Sequence, residues 1–422
     1  MTKFRAYLER QQPLPVTELL PVAEGRSTLF VTIPCYDEPD LLHSLNSLVA
    51  CDTPTSRVTV IIVVNASEKA PSAVLTQNLQ TIREVISWWE NQPKPFFQLR
   101  LMHAPALPAK WAGVGWARKI AMDAAIHSLD QSAMEEGILV AFDADSTVSS
   151  NYLTSIEAAF NSNPSCNFIT LNFSHPVDDP SLSPSLREGI ILYELYLRYL
   201  RNAMEWAGYP HAIHTVGSSF AVKATAYVKQ GGMNRRQAGE DFHFLHKIVL
   251  LGDYGKVTDA TVFPSCRISH RVPFGTGAAL KKWEEGEQEL YSTYSLQVFS
   301  TLQPLLSDPA FFFAESRETW GERIQQFDPR LQNYIAETAT ANRLNELKSN
   351  CAEIRIFTKR FYHEISAFWI IRYLNRCEET IGGKGNLEEE ATKLLSELKP
   401  EIPQANSARE LLEIYRRIDN SS

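Results

Sequence analysis

Gly137-Ile-Leu-Val-Ala-Phe-Asp-Ala-Asp145 decides how this chain is read. The apolar run from Ile138 to Phe142 is unbroken and ends on two acids. A short, wholly apolar run of this kind suits a strand buried on both faces. Asp143 and Asp145 stand at i and i+2, so they share one side of the strand end, about 7 Å apart at Cα. Two carboxylates so placed repel each other, and a bound divalent cation is one common relief. Taken alone, the pair is equally suited to a solvated turn leading into a helix.

The segments upstream repeat the same grammar. Thr28-Leu-Phe-Val-Thr-Ile33 is a β-branched apolar run ended by Pro34, and Val58-Thr-Val-Ile-Ile-Val-Val64 is a second, ended by Asn65. Phe97 to Met102 reads as a third strand. Between them lie helical patterns over Asp40–Val49, with leucines at 41, 42, 45 and 48 and Asp40 as N-cap, over Ser72–Glu90, and over Gly115–Leu129. Apolar strands alternating with helices predict an α/β fold, a doubly wound, mainly parallel sheet covered on both faces. In such sheets ligands bind outside the carboxyl ends of the strands, so chemistry is sought just after each strand.

Downstream the order is less regular. Helices are expected over Asn151–Phe160, Leu186–Trp206 and Asp241–Leu251, and strands over Phe168–Phe173 and Val216–Val222. From Ala279 only helices are expected: Leu280–Phe299, Arg330–Leu347, Ile354–Cys377, Leu387–Leu398 and Ala408–Ile418. This gives an N-terminal arm over 1–24, extended because of Pro13, Pro15 and Pro21, an α/β domain over 25–278, and a helical C-terminal region over 279–422 without a chemical motif.

Bulk properties exclude several classes. The 422 residues are 44% hydrophobic and 21% charged, enough for a sizeable core, and the net charge of −8 argues against a general nucleic-acid binder. No run of about 18 apolar residues occurs, so no transmembrane segment is expected. Met1 to Gln12 lacks the apolar core of a secretory signal. The six cysteines, at 35, 51, 166, 266, 351 and 377, form no CxxC pair, which fits reduced thiols in a cytoplasmic protein.

Motifs in order along the chain sharpen the reading. Val31-Thr-Ile-Pro-Cys-Tyr-Asp-Glu38 followed by a helix resembles the opening of family 2 glycosyltransferases, which have the GT-A fold. Ile61-Ile-Val-Val-Asn-Ala-Ser67 is similar to that family's second strand, Gly113-Val-Gly-Trp-Ala-Arg-Lys119 to its Gly-x-x-x-Ala-Arg-Asn helix start, and Ala141-Phe-Asp-Ala-Asp145 to its metal-binding DxD. Val216-Gly-Ser-Ser-Phe-Ala-Val-Lys223, Gly231-Gly-Met233 and Gly239-Glu-Asp241 resemble the acceptor-side strand, the Gly-Gly-Phe turn and the xED helix start. His270, in Ile268-Ser-His-Arg271, falls where a late metal-ligating histidine is often found.

The resemblance covers about 250 residues and implies transfer of a sugar from a nucleotide diphosphate sugar, UDP- or GDP-linked, to a hydroxyl acceptor with inversion. It implies that Pro34, Tyr36, Glu38, Asn65, Arg118, Asp143 and Ala144 contact the nucleotide sugar. Asp145 and His270 would hold Mn2+ or Mg2+, Gly217 and Ser218 would line the acceptor side, and Asp241 would be the base, with Glu240 second. Asn65 departs from the family, which has an acid there, and this bears on base preference. The Gln-x-x-Arg-Trp of processive synthases is absent, so single-sugar transfer is expected.

Other readings remain. Glu240-Asp241 also suits a helix N-terminus for its charge alone, and His243 with His246 suits a half-buried polar pair. Phe142-Asp-Ala-Asp-Ser-Thr-Val148 resembles the DxDxTV signature of HAD-type phosphatases, which needs a later GDxxxD or DD motif; Gly252-Asp253 has Val257 four positions on, and the next acid is Asp259. A non-catalytic sugar-nucleotide-binding protein would share the fold. A sugar nucleotidyltransferase is disfavoured, since no Gly-rich phosphate loop follows the first strand.

Overall fold

The computed structural model describes residues 3–12, 15–21, 26–237, 239–269, 271, 275–287, 289–381, 384–403 and 405–421. The chain divides into two units, Met1–Ile190 with Thr215–Gln288 and Asp419–Ser422, and Ile191–His214 with Glu289–Ile418. Among the described residues, the first unit is built on one sheet of nine strands. They are β1 (Thr17–Leu20), β2 (Leu29–Cys35), β3 (Val58–Ser67), β4 (Gln98–Leu107), β5 (Ile138–Ala141), β6 (Thr147–Val148), β7 (Phe168–Phe173), β8 (Phe220–Lys223) and β9 (Tyr254–Phe263). Their order is β1-β4-β3-β2-β5-β8-β7-β9-β6, and the long ladders, β4-β3-β2-β5 and β7-β9, are parallel.

Alternation along the strands sorts the core onto two faces. Leu29, Val31 and Ile33 of β2 and Val58, Val60, Ile62 and Val64 of β3 share one cluster with Leu41, Leu45 and Leu48 of α2 (Leu41–Val49) and Ile82, Val85 and Trp88 of α3 (Ser72–Asn91). The intervening residues face the other way, where α4 (Val114–Gln131) packs with Ala117, Ile120, Ala121, Ala124 and Ala125 all buried. Small residues let this helix lie close to the sheet, and its near-complete burial fixes where Arg118 points. The doubly wound α/β arrangement expected from the alternation is present.

The departures have local causes. Pro34 does not end β2, which runs on to Cys35. The β2–β5 ladder stops at Thr32–Ala141, so no backbone donor is missed at Pro34. The arm is not wholly extended: Lys3–Leu8 forms helix α1, with Phe4, Tyr7 and Leu8 buried, and β1 pairs antiparallel with β4. Strand β9 lacks a sequence signal because Gly255, Lys256 and Asp259 interrupt any apolar run. It sits beside the two-residue β6, where only part of each face is covered.

The remaining helices of the first unit are α5 (Tyr152–Ser162), α6 (Pro184–Trp206, which continues into the second unit), α7 (Ala224–Lys229), α8 (Glu240–Ile248) and α9 (Thr276–Glu284). The second unit is mostly helical, but Ser292–Thr293 pairs antiparallel with Gly385–Asn386 where only helices were expected, and several long helices are broken. Pro329–Glu337 and Thr340–Ser349 are separated at Ala339, whose φ of 50° lies in the left-handed region. Ile354–Glu364 and Ala367–Ile381 are likewise separate, whereas Leu387–Leu398 is as expected. A buried charge cluster organises this unit: Arg198 Nε and Arg416 Nη2 each donate to Glu194 at 2.9 Å. No helix among the described residues is long and apolar enough to cross a membrane, and all six cysteines are free thiols.

Candidate active site

Topology alone selects a place. From β2 the chain moves to β3 on one side, and β5 then joins β2 on the other. The crevice between the carboxyl ends of β2 and β5 is therefore the switch point at which open α/β sheets bind ligands. The turns leaving these strands carry Tyr36, Asp37 and Glu38, and Asp143, Ala144 and Asp145. Strand β8 is antiparallel to β5, with Ala141 opposite Phe220, so its amino end, led by Gly217 and Ser218, reaches the same edge. Strand β9 runs parallel to β7, and the segment leaving it, with Arg267 and Arg271, arrives there too.

Two charge clusters form at this edge. In the first, Arg118 of α4 is 1% exposed and donates from Nη2 to Asp143 Oδ1 at 2.7 Å and from Nε to Glu240 Oε1 at 3.2 Å. Burial opposes the guanidinium charge, but Asp143 and Glu240 hold Arg118 charged beyond its ordinary range. Its Nη1 is buried and has no hydrogen-bond partner among the described residues. Glu240 and Asp241 open α8 after Gly239, whose φ of 67° makes the turn. Burial raises the Glu240 carboxyl, with Arg118 opposing. Burial, with the Glu240 charge second, lifts Asp241 to about 8. A Cβ at Gly217 would stand 3.0 Å from Asp241 Oδ2 and 3.1 Å from Arg118 Nη2, so glycine is what lets this turn lie against the pair.

In the second cluster, Glu38 is fully buried and accepts from Arg267 Nη2 at 2.8 and 2.7 Å and from Arg271 Nη1. Arg271 Nη2 also donates to Asp145 Oδ2 at 2.7 Å. Burial lifts the Asp145 carboxyl above its usual range, and Arg271 opposes that. Asp40 stands at the N-cap of α2 but does not cap it with its side chain; Oδ2 takes Arg267 Nη1 at 2.7 Å. The turn from β2 into α2 passes through Asp37 at φ 51°, with its N–H donating to Asn78 Oδ1 at 2.9 Å.

The expected residues thus fall into place unevenly. Arg118, Asp143, Glu240, Asp241 and Gly217 converge, and Glu38 and Asp145 meet nearby. Asn65, near the carboxyl end of β3, and Ser218 are buried, and Asn65 Oδ1 and Ser218 Oγ have no partner among the described residues. Tyr36 is half-buried, with its phenol raised by burial. Pro34 is a buried strand residue, and the Ala144 carbonyl accepts from Ser44 Oγ at 2.8 Å, so it anchors the turn. His246 is buried and packs edge-on to Phe242 with ring centroids 4.5 Å apart, and His243 is half-buried. His270 lies outside the described residues. Sequence reading missed Arg267 and Arg271; their spacing of four in a loop is common, and only the fold sets them against Glu38.

A divalent cation bound by protein wants about six oxygen ligands or a compact nitrogen-oxygen set. Among the described residues, no group of three or more His, Cys, Asp and Glu could hold one. Asp145, expected as its ligand, is engaged by Arg271 instead. The described residues do not fit a resident metal as they stand.

The phosphatase reading meets a topological obstacle. Asp143 follows the carboxyl end of β5, whereas Gly252-Asp253 precedes the amino end of β9, a strand of the same direction. The two acids lie at opposite edges of the sheet.

No protein-family model matches the chain, and no curated protein matches it. Among solved structures, the chain is similar to S. aureus TarS 1–349 in complex with UDP-GlcNAc, at 13% identity over 79% of this chain and 89% of that one, with a TM-score of 0.40. It is also similar to the mannosyltransferase PcManGT from Pyrobaculum calidifontis in complex with GDP-Man and Mn2+, at 14% identity over 88% and 92% of the two chains, with a TM-score of 0.38. At such distance the functional reading rests on the site itself.

Proposed function

We propose that the chain is a glycosyltransferase that moves one sugar from a nucleotide diphosphate sugar to a hydroxyl acceptor, with inversion, at the β2/β5 switch point. The observation that carries this is the convergence of Asp143, Glu240 and Asp241 on Arg118, whose Nη1 is buried without a partner among the described residues. A structural ion pair needs no spare donor there, whereas a phosphate or sugar oxygen supplies an acceptor.

The reaction needs a base for the acceptor hydroxyl. Its oxygen attacks the anomeric carbon, its proton passes to the Asp241 carboxylate, and the electron pair of the breaking C–O bond leaves on the diphosphate. A carboxyl lifted to about 8 is matched to proton transfer near neutral pH. Arg118 holds Glu240 beside it and faces Asp143, which supports a role in orienting the donor. Asn65 and Ser218 offer unmet polar atoms on the nucleotide and acceptor sides.

The test is a thermal-shift screen against UDP, GDP, CDP and dTDP sugars, with and without Mn2+ or Mg2+. A ligand at about 100 times its Kd adds roughly 2.7 kcal/mol of apparent stability. A shift confined to one nucleotide family, with transfer lost in Asp241→Asn, supports the reading. No shift with any sugar nucleotide sinks it. NMR of the product's anomeric proton decides inversion.

A further inference from the structure

The second charge cluster is more than a brace. Glu38 is fully buried at the end of β2, yet two guanidinium groups converge on it from the segment after β9. Arg271 then spans from Glu38 to Asp145, and Arg267 from Glu38 to Asp40. A guanidinium has five N–H donors. On Arg271 three of them are directed at Ser269 Oγ, Glu38 and Asp145, which leaves two without a partner among the described residues. Asp145 is the carboxylate expected to hold a divalent cation, and its Oδ2 is 2.7 Å from Arg271 Nη2 and 3.7 Å from Arg267 Nη2. A divalent ion on that oxygen would have to displace the Arg271 Nη2 donor that already fills it.

We infer that Arg267 and Arg271 are the cationic diphosphate-binding element of this site, taking the place that a divalent metal was expected to fill. The inference rests on the nucleotide-sugar reading above and deepens it. Glu38 and Asp40 hold the two guanidinium groups in a fixed orientation, so the donors they do not use need no reorganisation to meet an anion. As the glycosidic C–O bond breaks, its electron pair adds charge to the departing phosphate oxygen, and the guanidinium groups stabilise that charge without a change of coordination. Asp145 in this arrangement orients Arg271; it is a positioning residue.

The test uses the full chain with UDP and GDP as probes, titrated by calorimetry in EDTA and again in Mn2+. The better of the two nucleotides is expected to bind in EDTA within about threefold of its affinity in Mn2+. Arg271→Ala should weaken binding in EDTA by about tenfold or more, the usual scale for a lost charge-assisted contact to phosphate, and Arg271→Lys less. Binding that appears only with Mn2+ overturns the inference and leaves the transferase reading standing. So does an Arg271→Ala protein that binds in EDTA as wild type does. If neither nucleotide binds in either buffer, both readings fail. The wild-type comparison in EDTA needs no variant, so poor folding of Arg271→Ala cannot shelter the idea.

Discussion

Asp241 sets catalysis against stability. In the folded chain its carboxyl keeps a proton to about pH 8, whereas an unfolded aspartate releases it near 3.8. The unfolded state therefore binds fewer protons across that interval, and stability falls as pH climbs through it. Asp241→Asn should flatten that part of the decline and raise the Tm at pH 8 by a few degrees, while transfer drops by about 10²–10⁴-fold. An unchanged Tm together with full activity would remove Asp241 from both roles. The same carboxyl predicts that kcat/KM rises with pH and levels off above about 8; a flat profile from 6 to 9 counts against it as base. At this scale the acids were legible, because a carboxylate just after an apolar strand or at a helix start announces itself by position. Their arginine partners were not, since nothing local in Cys266-Arg267-Ile268 says which carboxylate lies opposite.

At the scale of elements, the site depends on a strand and a helix arriving in close register. Gly217→Ala places a methyl group 3.0 Å from Asp241 Oδ2, and transfer is expected to fall by about 10²-fold through misplacement, with the melting temperature little changed. A Gly217→Ala enzyme of normal rate would show that the turn has room. Helix α4, which carries Arg118, is tied to α1 by a buried network: Tyr7 and Tyr227 both donate to Asp123 Oδ1 at 2.8 Å, and Lys119 Nζ reaches Asp123 Oδ2 at 2.7 Å. Burial lowers the Lys119 ammonium, with Asp123 opposing. Tyr7→Phe removes one donor from this network and should cost about 1–3 kcal/mol in urea unfolding; a loss under half of that would mean Asp123 is satisfied elsewhere. The strands β2, β3 and β5 were readable because both their faces are covered, so their sequences are apolar throughout. Helix α1 and strand β9 were not, because their burial depends on neighbours distant in sequence.

Over the whole molecule, five of the six thiols are buried and Cys351 is half-buried. Burial pushes the Cys51 thiol up to about 12, which removes its thiolate at ordinary pH. Ellman's reagent is expected to titrate about one thiol in the native chain and all six after denaturation. Two or more fast native thiols would contradict the packing around Cys35, Cys51, Cys166, Cys266 and Cys377.

The distance along the chain between Glu38 and its partners has a consequence for how the molecule forms. Arg267 and Arg271 follow Glu38 by 229 and 233 residues. While the first strands assemble, the acid at the end of β2 has no cation to meet it, and an uncompensated buried carboxylate is strongly unfavourable. Closing the β2/β5 edge must then wait for a long-range contact, the kind that slows folding most. Glu38→Gln should therefore refold faster than the natural chain even though its finished site holds the two arginines less firmly, a difference that stopped-flow fluorescence would read directly.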